Sequence, residues 1–315
     1  MTPLHAGERT RIAICAATLH RPVGLASLLQ SLAQLEVPDH VDLITVIVDN
    51  DADGSASSAV ESVRADWPHA ELRYGIEAHR GIPFARNRAV SLARDADWVA
   101  FIDDDEVADP LWIVELLRVA NESEADVVTG RVVPNFEQEP PSWVTSGDFF
   151  ERRRFATGTR IPFARTSNAL VAMKWFGESA TPFSEAMANN GGDDTHFFQR
   201  VRLGGGRIVW ADEAVVVETV PVTRVQQRWL VQREYRRGNT LSLCLRDLED
   251  SPRRRAKRCA AATVHAVSGV GLIASSVVRG RVALVRGTQR VAFSVGLVTG
   301  LTGHVYEEYS TVHGH

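Results

Sequence analysis

Short apolar runs alternate with amphipathic segments over the first 133 residues of the chain. The runs RIAICA (11–16), LITVIV (43–48) and WVAFI (98–102) predict buried β-strands, with weaker strands at 71–74 and 126–133. The segments between them, 22–35, 56–65, 83–94 and 110–120, have the periodicity of helices that bury one face. This alternation predicts an α/β fold, with a Rossmann-like, mostly parallel sheet covered by helices on both faces.

The pattern changes after residue 134 and again near residue 222. Prolines and aromatic residues interrupt the stretch up to 168, and then a strand at 168–172, a helix at 195–203 and a strand at 214–218 are predicted. A long basic helix follows from about residue 225. We therefore expect a main domain over 1–222 and a helical, basic C-terminal region over 223–315.

Charge is unevenly distributed, although the net charge of the 315-residue chain is only −4. Residues 224–290 hold 15 Arg and Lys against 4 Asp and Glu, whereas residues 1–223 hold 20 against 33. A basic cluster at 253–258 precedes 20 residues, 259–278, without any Asp, Glu, Lys or Arg. That segment is too diluted by Ser and Gly to be a good membrane span. The region 253–303 is suited either to lie on an anionic membrane surface or to pack on the main domain.

Several classes of protein are disfavoured. The three cysteines lie far apart without a C-x-x-C pair, which argues against zinc ribbons and disulfide frameworks and favours a reducing, cytoplasmic compartment. The N-terminus lacks the basic-then-apolar pattern of a secretion signal. The arginine cluster lacks interleaved aromatic residues, so we expect no nucleic acid partner.

Polar residues follow the predicted strands at the sheet edge where α/β proteins bind ligands. Thr18 and Arg21 follow the first strand, Asp49 follows the second, and the acidic run 103–106 (DDDE) follows WVAFI. Clustered carboxylates repel one another, and a hard divalent cation with oxygen ligands relieves that repulsion. The alternative is a solvated acidic turn that caps the following helix.

Three further segments have both a structural and a functional interpretation. In GGDD (191–194), Asp193 and Asp194 either cap the N-terminus of the following helix or supply a general base. DNDADG (49–54) matches the first half of a calcium loop, but its twelfth position is Val60, so a strand-end turn with Asp49 facing a ligand is favoured. Arg86 and Asn87, in GIPFARNR (81–88), either contact an anion such as a phosphate or form a solvated helix face.

Taken together, these segments resemble glycosyltransferase family 2 with a GT-A fold, in the branch associated with bacterial exopolysaccharide and succinoglycan-type assembly. The similarity extends over about residues 10–240 and rests on five segments in order. FIDDDE resembles the DXD motif of the family, and GGDDTHFF resembles its Glu-Asp motif, with Asp193 in place of Glu. The resemblance implies a nucleotide-binding half at about 10–133 and an acceptor half at about 134–222.

The resemblance also implies roles for individual residues. Asp194 would be the catalytic base, next to Asp193. Metal ligands would be Asp105, Asp103 and Glu218. The implied donor-binding residues are Thr18, Arg21, Asp49 (with Asp51 in reserve), Arg86, Asn87, Asp103 and Asp104.

The implied reaction is an inverting, Mn²⁺- or Mg²⁺-dependent single displacement. It would move a sugar, such as a hexose, from a nucleotide sugar, with a UDP-sugar favoured, to a saccharide or lipid-linked acceptor at the inner face of the plasma membrane. The alternative is a nucleotidyltransferase that makes an activated sugar. The Gln-x-x-Arg-Trp motif of processive members is incomplete, because Val225 precedes Arg228 and Trp229 where Gln is expected, and this favours transfer of single sugars.

Overall fold

A computed structural model describes residues 9–188 and 190–306 of the chain. The strands of that part are β1 (Thr10–Thr18), β2 (Val41–Asp49), β3 (Glu71–Ile76), β4 (Trp98–Phe101), β5 (Glu106–Ala108), β6 (Val127–Phe136), β7 (Ala169–Ala172) and β8 (Ile208–Val220). The helices are α1 (Pro22–Leu32), α2 (Ser57–Arg64), α3 (Ile82–Leu92), α4 (Trp112–Glu122), α5 (Ser142–Thr145), α6 (Asp193–Leu203), α7 (Gln227–Leu248) and α8 (Pro252–Thr302).

The strands form one sheet in the order β3-β2-β1-β4-β7-β6-β8-β5. The pairs β1–β2, β2–β3, β1–β4 and β6–β8 are parallel, and β4–β7, β6–β7 and β5–β8 are antiparallel. The sheet is therefore mixed: its first half is parallel as predicted, and β7 enters antiparallel between β4 and β6. Because β1, β2 and β4 run in the same direction, their carboxyl ends meet at one edge, where the ligand-binding residues were predicted.

Helices cover both faces of the sheet, as the alternating pattern predicted. In β1, Ile12 and Ile14 pack into a core with α1 and α4, while Ala13 and Cys15 pack into a second core with α3 and α6. Successive side chains of a strand point to opposite faces, so a strand that is apolar throughout supplies both cores.

Two strands depart from the predicted pattern. β8 has 13 residues where five were expected, and its register against β6 shifts between Gly130 and Arg131. Gly130 is required at that irregularity, because a Cβ there would lie 2.1 Å from the carbonyl oxygen of Ala214. The acidic run 103–106 is not one open turn, because Glu106 begins β5 and lies opposite Glu218 of β8.

The C-terminal region is a helical appendage, as predicted. α8 is divided at Gly280, whose backbone is non-helical (φ 73°, ψ −167°), into a first arm, 252–279, and a second arm, 281–302. The second arm packs closely on α7 through glycines: a Cβ on Gly296 would lie 2.0 Å from the carbonyl oxygen of Tyr235. Among the described helices, α8 alone has both the length and the apolar composition that a membrane span requires.

Candidate active site

The acidic run at the end of β4 is held by residues from the end of β1. Thr18 Oγ1 donates to Asp104 Oδ2 over 2.8 Å. Arg21, directly before α1, donates from Nη1 to Asp104 Oδ1 and to Asp105 Oδ2, both over 3.0 Å. Burial raises the pKa of Asp104, and the charge of Arg21 opposes that rise. The structure thus brings together four of the predicted site residues, Thr18, Arg21, Asp104 and Asp105.

A second arginine connects the run to β8. Arg224 lies 3.3 Å from Asp105 Oδ2 and 3.1 Å from Glu218 Oε1. Glu218 also accepts from Arg152 Nη2 over 2.7 Å, and Arg152 donates in turn to Ser167 Oγ. Glu218 and Asp105 therefore share Arg224 as a counter-charge. Neither Arg152 nor Arg224 was predicted from the sequence, because both lie in segments without a periodic pattern.

A third arginine joins the acidic run to the N-terminus of α6. Arg86 Nη1 lies 2.6 Å from Asp193 Oδ2, and Arg86 Nη2 lies 3.6 Å from Asp103 Oδ1. Only 12% of the Arg86 side chain and 1% of the Asp193 side chain are exposed. Arg86 therefore connects two carboxylates from segments 90 residues apart in the chain.

Asp103 differs from Asp104 and Asp105 in having no arginine within 3.5 Å among the described residues. Its pKa is raised to about 7, with burial as the largest cause; the carboxylates of Asp105 and Asp104 also raise the pKa, and Arg86 lowers it. The side chain nevertheless keeps 41% of its surface exposed. Asp103 is thus a crowded carboxylate that is accessible to a ligand.

The two acids of α6 have different environments. Asp193 is fully buried, its pKa is raised by burial and lowered by Arg86, and its Oδ1 has no hydrogen-bond partner in the described part of the chain. Asp194 is partly exposed, and its Oδ1 accepts from the backbone N–H and the hydroxyl of Thr195. Asp194 is therefore the acid of this pair that a substrate can reach, and Asp193 anchors Arg86.

The turn after β2 closes on Asp49. Its Oδ2 accepts from the Tyr74 hydroxyl over 2.9 Å and from Ala56 N over 2.6 Å, and its Oδ1 accepts from Asp51 N. Asp49 is 0% exposed, whereas the Asp51 side chain is 15% exposed. Asp51 Oδ2 lies 3.6 Å from His20 Nδ1. The segment is a strand-end turn, as predicted. Of the two acids predicted to contact the donor, Asp49 and Asp51, only Asp51 has accessible surface.

Asn87 was predicted to bind the donor, but its amide is used within the fold. Its Nδ2 donates to the carbonyl oxygen of Phe183 over 3.0 Å, and its Oδ1 accepts from Phe183 N over 2.8 Å. With 6% of its surface exposed, Asn87 ties α3 to the loop before α6. Its contribution to the site is positional, because it helps to fix the helix that carries Arg86.

The carboxylates fit a partial metal site. In residues 9–188 and 190–306, no three His, Cys, Asp or Glu side chains converge as in a metal centre built from protein ligands alone. Mg²⁺ in nucleotide sites commonly takes only one or two carboxylates, and phosphate and water oxygens supply the remaining ligands. Asp105 and the accessible Asp103 offer such a pair. Two arginines contact Asp105, Arg21 and Arg224, and two contact Glu218, Arg152 and Arg224.

Comparison with known sequences gives one consistent family. Residues 14–179 match the model of glycosyl transferase family 2, and residues 98–309 match that of glycosyl transferase family group 2. Succinoglycan biosynthesis protein ExoM of Rhizobium meliloti is 32% identical over 299 residues, which cover 94% of each chain. Glucosyl-dolichyl phosphate glucuronosyltransferase of Haloferax volcanii is 27% identical over 172 residues, covering 50% of this chain and 53% of that protein.

Solved structures give the same fold. Mannosyltransferase PcManGT from Pyrobaculum calidifontis, solved with GDP-Man and Mn²⁺, has a TM-score of 0.63 at 17% identity, covering 94% of this chain and 88% of that one. TarS 1–349 of S. aureus, solved with UDP, has a TM-score of 0.53 at 16% identity, covering 95% and 93%. The chain is a glycosyltransferase with the GT-A fold, and it belongs to glycosyl transferase family 2.

Proposed function

We propose that this enzyme transfers a sugar from a nucleoside diphosphate sugar to a hydroxyl group of a saccharide or lipid-linked acceptor, with inversion and with Mn²⁺ or Mg²⁺. The observation that carries the proposal is the Arg86 bridge, because Arg86 lies within 4.0 Å of both Asp103 at the end of β4 and Asp193 at the start of α6. Donor and acceptor have to bind at one site, because the attacking and leaving oxygens bind to the same carbon.

The relatives support a nucleotide sugar as the donor. PcManGT was solved with GDP-Man and Mn²⁺, and TarS with UDP and with UDP-GlcNAc. We take a UDP-sugar as the first candidate. Asp51, which has accessible surface in the turn after β2, would contact the base or ribose, and Arg21 would contact phosphate oxygens.

Asp105 and Asp103 would hold the divalent cation, with Glu218 nearby. When bound, the cation would neutralise negative charge on the diphosphate as it leaves. Arg21 and Arg224 both contact Asp105 and add fixed positive charge at the same place. Positive groups that are already in position before the reaction stabilise developing charge at little reorganisation cost.

Asp194 is the proposed general base. The acceptor hydroxyl oxygen would attack the anomeric carbon, the bond from that carbon to the diphosphate oxygen would break, and the hydroxyl proton would pass to Asp194. The N-terminus of α6 stabilises negative charge there until the proton is taken. Asp193 is a positioning residue, since its buried carboxylate holds Arg86 and is out of reach of an acceptor.

A screen of UDP-, GDP- and dTDP-sugars with a saccharide acceptor tests the donor and the metal. Nucleoside diphosphate should be released with one donor class, release should stop with EDTA, and Mn²⁺ or Mg²⁺ should restore it. Release of pyrophosphate instead would indicate the alternative nucleotidyltransferase reaction, which membership of the glycosyltransferase family disfavours.

Two substitutions test the residues. Asp194→Asn should lower kcat roughly 10²–10⁴-fold, the usual contribution of a general base, and Asp105→Ala should abolish transfer. Asp66→Asn, which changes an exposed carboxylate that is not among the candidate site residues, is the matched control and should leave transfer unchanged. Near-normal turnover in the Asp194 or Asp105 variant, with the fold intact, would remove the role given to that residue.

A further inference from the structure

The first arm of α8 presents an uninterrupted apolar stripe to solvent. Val264, Val267 and Val270 are 67%, 68% and 60% exposed, and Val277 and Val278 next to the bend are 92% and 91% exposed. At 100° per residue these positions, with Ala260 and Ala274, lie on one face of the helix. The stripe extends over residues 260–278, about 27 Å along the helix axis.

The opposite face of the same arm is covered by protein. Ser294 of the second arm donates to the carbonyl oxygen of Ala262, and a Cβ on Gly269 would lie 2.8 Å from the carbonyl oxygen of Gly287. His265 packs edge-on against Phe293. The valine stripe is therefore the outer face of a helix whose inner face is already packed, and not a core surface that has lost its cover.

Positive charge surrounds the stripe. α8 contains nine Arg and Lys residues and no Asp or Glu in 51 residues. Glu249 and Asp250 pair with Arg254 and Arg255, respectively. Arg253 and Lys257 at one end and Arg279 at the other have no acidic partner within 4.0 Å among the described residues. An apolar helix face with cations at both ends complements an anionic lipid surface.

We propose that the first arm of α8 lies in the headgroup region of an anionic bilayer, with its valine stripe towards the acyl chains. The arm does not span the membrane, because its partner arm is tied to the main domain. Arg286 of that second arm donates to the carbonyl oxygen of Gly147, and the Arg281 guanidinium lies 4.5 Å from the ring centre of Trp143. Immersing the pair would bury those arginines in hydrocarbon.

Sedimentation of the full chain with vesicles tests this surface independently of sugar transfer. Wild type should sediment with vesicles of phosphatidylglycerol and phosphatidylcholine, and bind at least about tenfold more weakly to phosphatidylcholine alone. Val277→Asp with Val278→Asp should weaken binding at least about tenfold, because two exposed apolar anchors become charged. Val23→Asp is the matched control, since Val23 is 80% exposed on α1 of the main domain.

The native cysteines allow a second measurement. Cys259, next to the stripe, is exposed, whereas Cys15 and Cys244 are buried, so a polarity-sensitive thiol dye should label Cys259 selectively. Its emission should shift to the blue when anionic vesicles are added, and 1 M NaCl should release the protein. The proposal would be overturned if wild type did not sediment with anionic vesicles at low salt, or if the Val277→Asp, Val278→Asp variant bound them as tightly as wild type. It would also be overturned if the protein stayed with the vesicles after washing with salt and alkaline carbonate, because such retention indicates a membrane span. A dimer that Val264→Asp dissociates would also overturn it, because a second copy would then cover the stripe.

Discussion

The Arg86–Asp193 pair should be among the most sensitive contacts in the molecule. Replacing Arg86 with Met keeps most of the side-chain volume and removes the charge, and Asp193 is then buried without a cationic partner. Both side chains are nearly inaccessible and their charged atoms lie 2.6 Å apart. Removing one partner of a buried pair costs about 3–5 kcal/mol. Since native domains are stable by only about 5–15 kcal/mol, we expect a large loss in the free energy of unfolding.

The assay is urea unfolding of metal-free protein, followed by circular dichroism. Arg118→Met is the control, because Arg118 makes ion pairs with Glu115 and Glu122 at the surface and is 38% exposed. Exposed pairs of this kind contribute at most about 1 kcal/mol. The cost of Arg86→Met should shrink in an Asp193→Asn background, with a coupling energy of at least about 1 kcal/mol.

The pH dependence supplies the sign of the effect. Burial already raises the pKa of Asp193, and Arg86 opposes that rise, so losing Arg86 raises the pKa further. The cost of Arg86→Met should then be largest above that raised pKa, where the folded state holds an unpaired charge, and smaller in acid, where Asp193 is protonated. An equal loss in Arg86→Met and Arg118→Met, or a coupling energy near zero, would refute the interpretation of this contact.

Three further predictions follow from burial and packing. Asp103→Asn should stabilise the metal-free protein against urea unfolding at pH 8, and less so at pH 5. The pKa of Asp103 is raised to about 7, so the folded protein carries the unfavourable charge at pH 8, whereas the side chain is largely protonated at pH 5. A gain independent of pH would contradict this. Asp51→Asn should raise the KM for the donor without changing stability. Asp49→Asn should lower the melting temperature, because Asp49 accepts buried hydrogen bonds. The reverse pattern would indicate that Asp49, and not Asp51, contacts the donor. Gly296→Ala should lower the free energy of unfolding by about 1–3 kcal/mol, because the added Cβ would force α8 away from α7. Gly271→Ala is the control: a Cβ there meets open space, so the change should be neutral or stabilising by about 0.5–1 kcal/mol. Equal melting temperatures for the two variants would contradict close packing at Gly296.

The parallel half of the sheet could be predicted because its strands are apolar throughout and alternate with amphipathic helices. The second half could not be predicted at this level. The four residues of β7 are as apolar as a parallel strand, and nothing local indicates that Ala169 pairs antiparallel with Phe101. β5 was missed because Glu106 continues an acidic run, and a buried glutamate beginning a strand runs against the usual preference for apolar residues.

The candidate site was predictable where residues directly follow strands and helix starts. Thr18, Arg21, Asp104 and Asp105 meet as predicted, since strand order and direction alone bring their positions together. Asn87 shows the limit of such reasoning, because its amide is used by the backbone of Phe183, 96 residues away in the chain. A residue type in a sequence pattern indicates what chemistry is available, but only the three-dimensional contacts show whether that chemistry is already used inside the fold.

The arginines explain how the fold tolerates its own active site. Asp104, Asp105, Glu218 and Asp193 would repel one another if they were brought together alone, and burial adds to that cost. Their counter-charges, Arg21, Arg86, Arg152 and Arg224, come from four separate segments, so the neutralising set exists only after the sheet and α6 have assembled. Of the carboxylates that contact these arginines, Asp103 has the longest contact, 3.6 Å from Arg86, and its pKa is raised to about 7. A divalent cation bound to Asp103 would stabilise its charged form, so metal binding and protonation should compete at this residue.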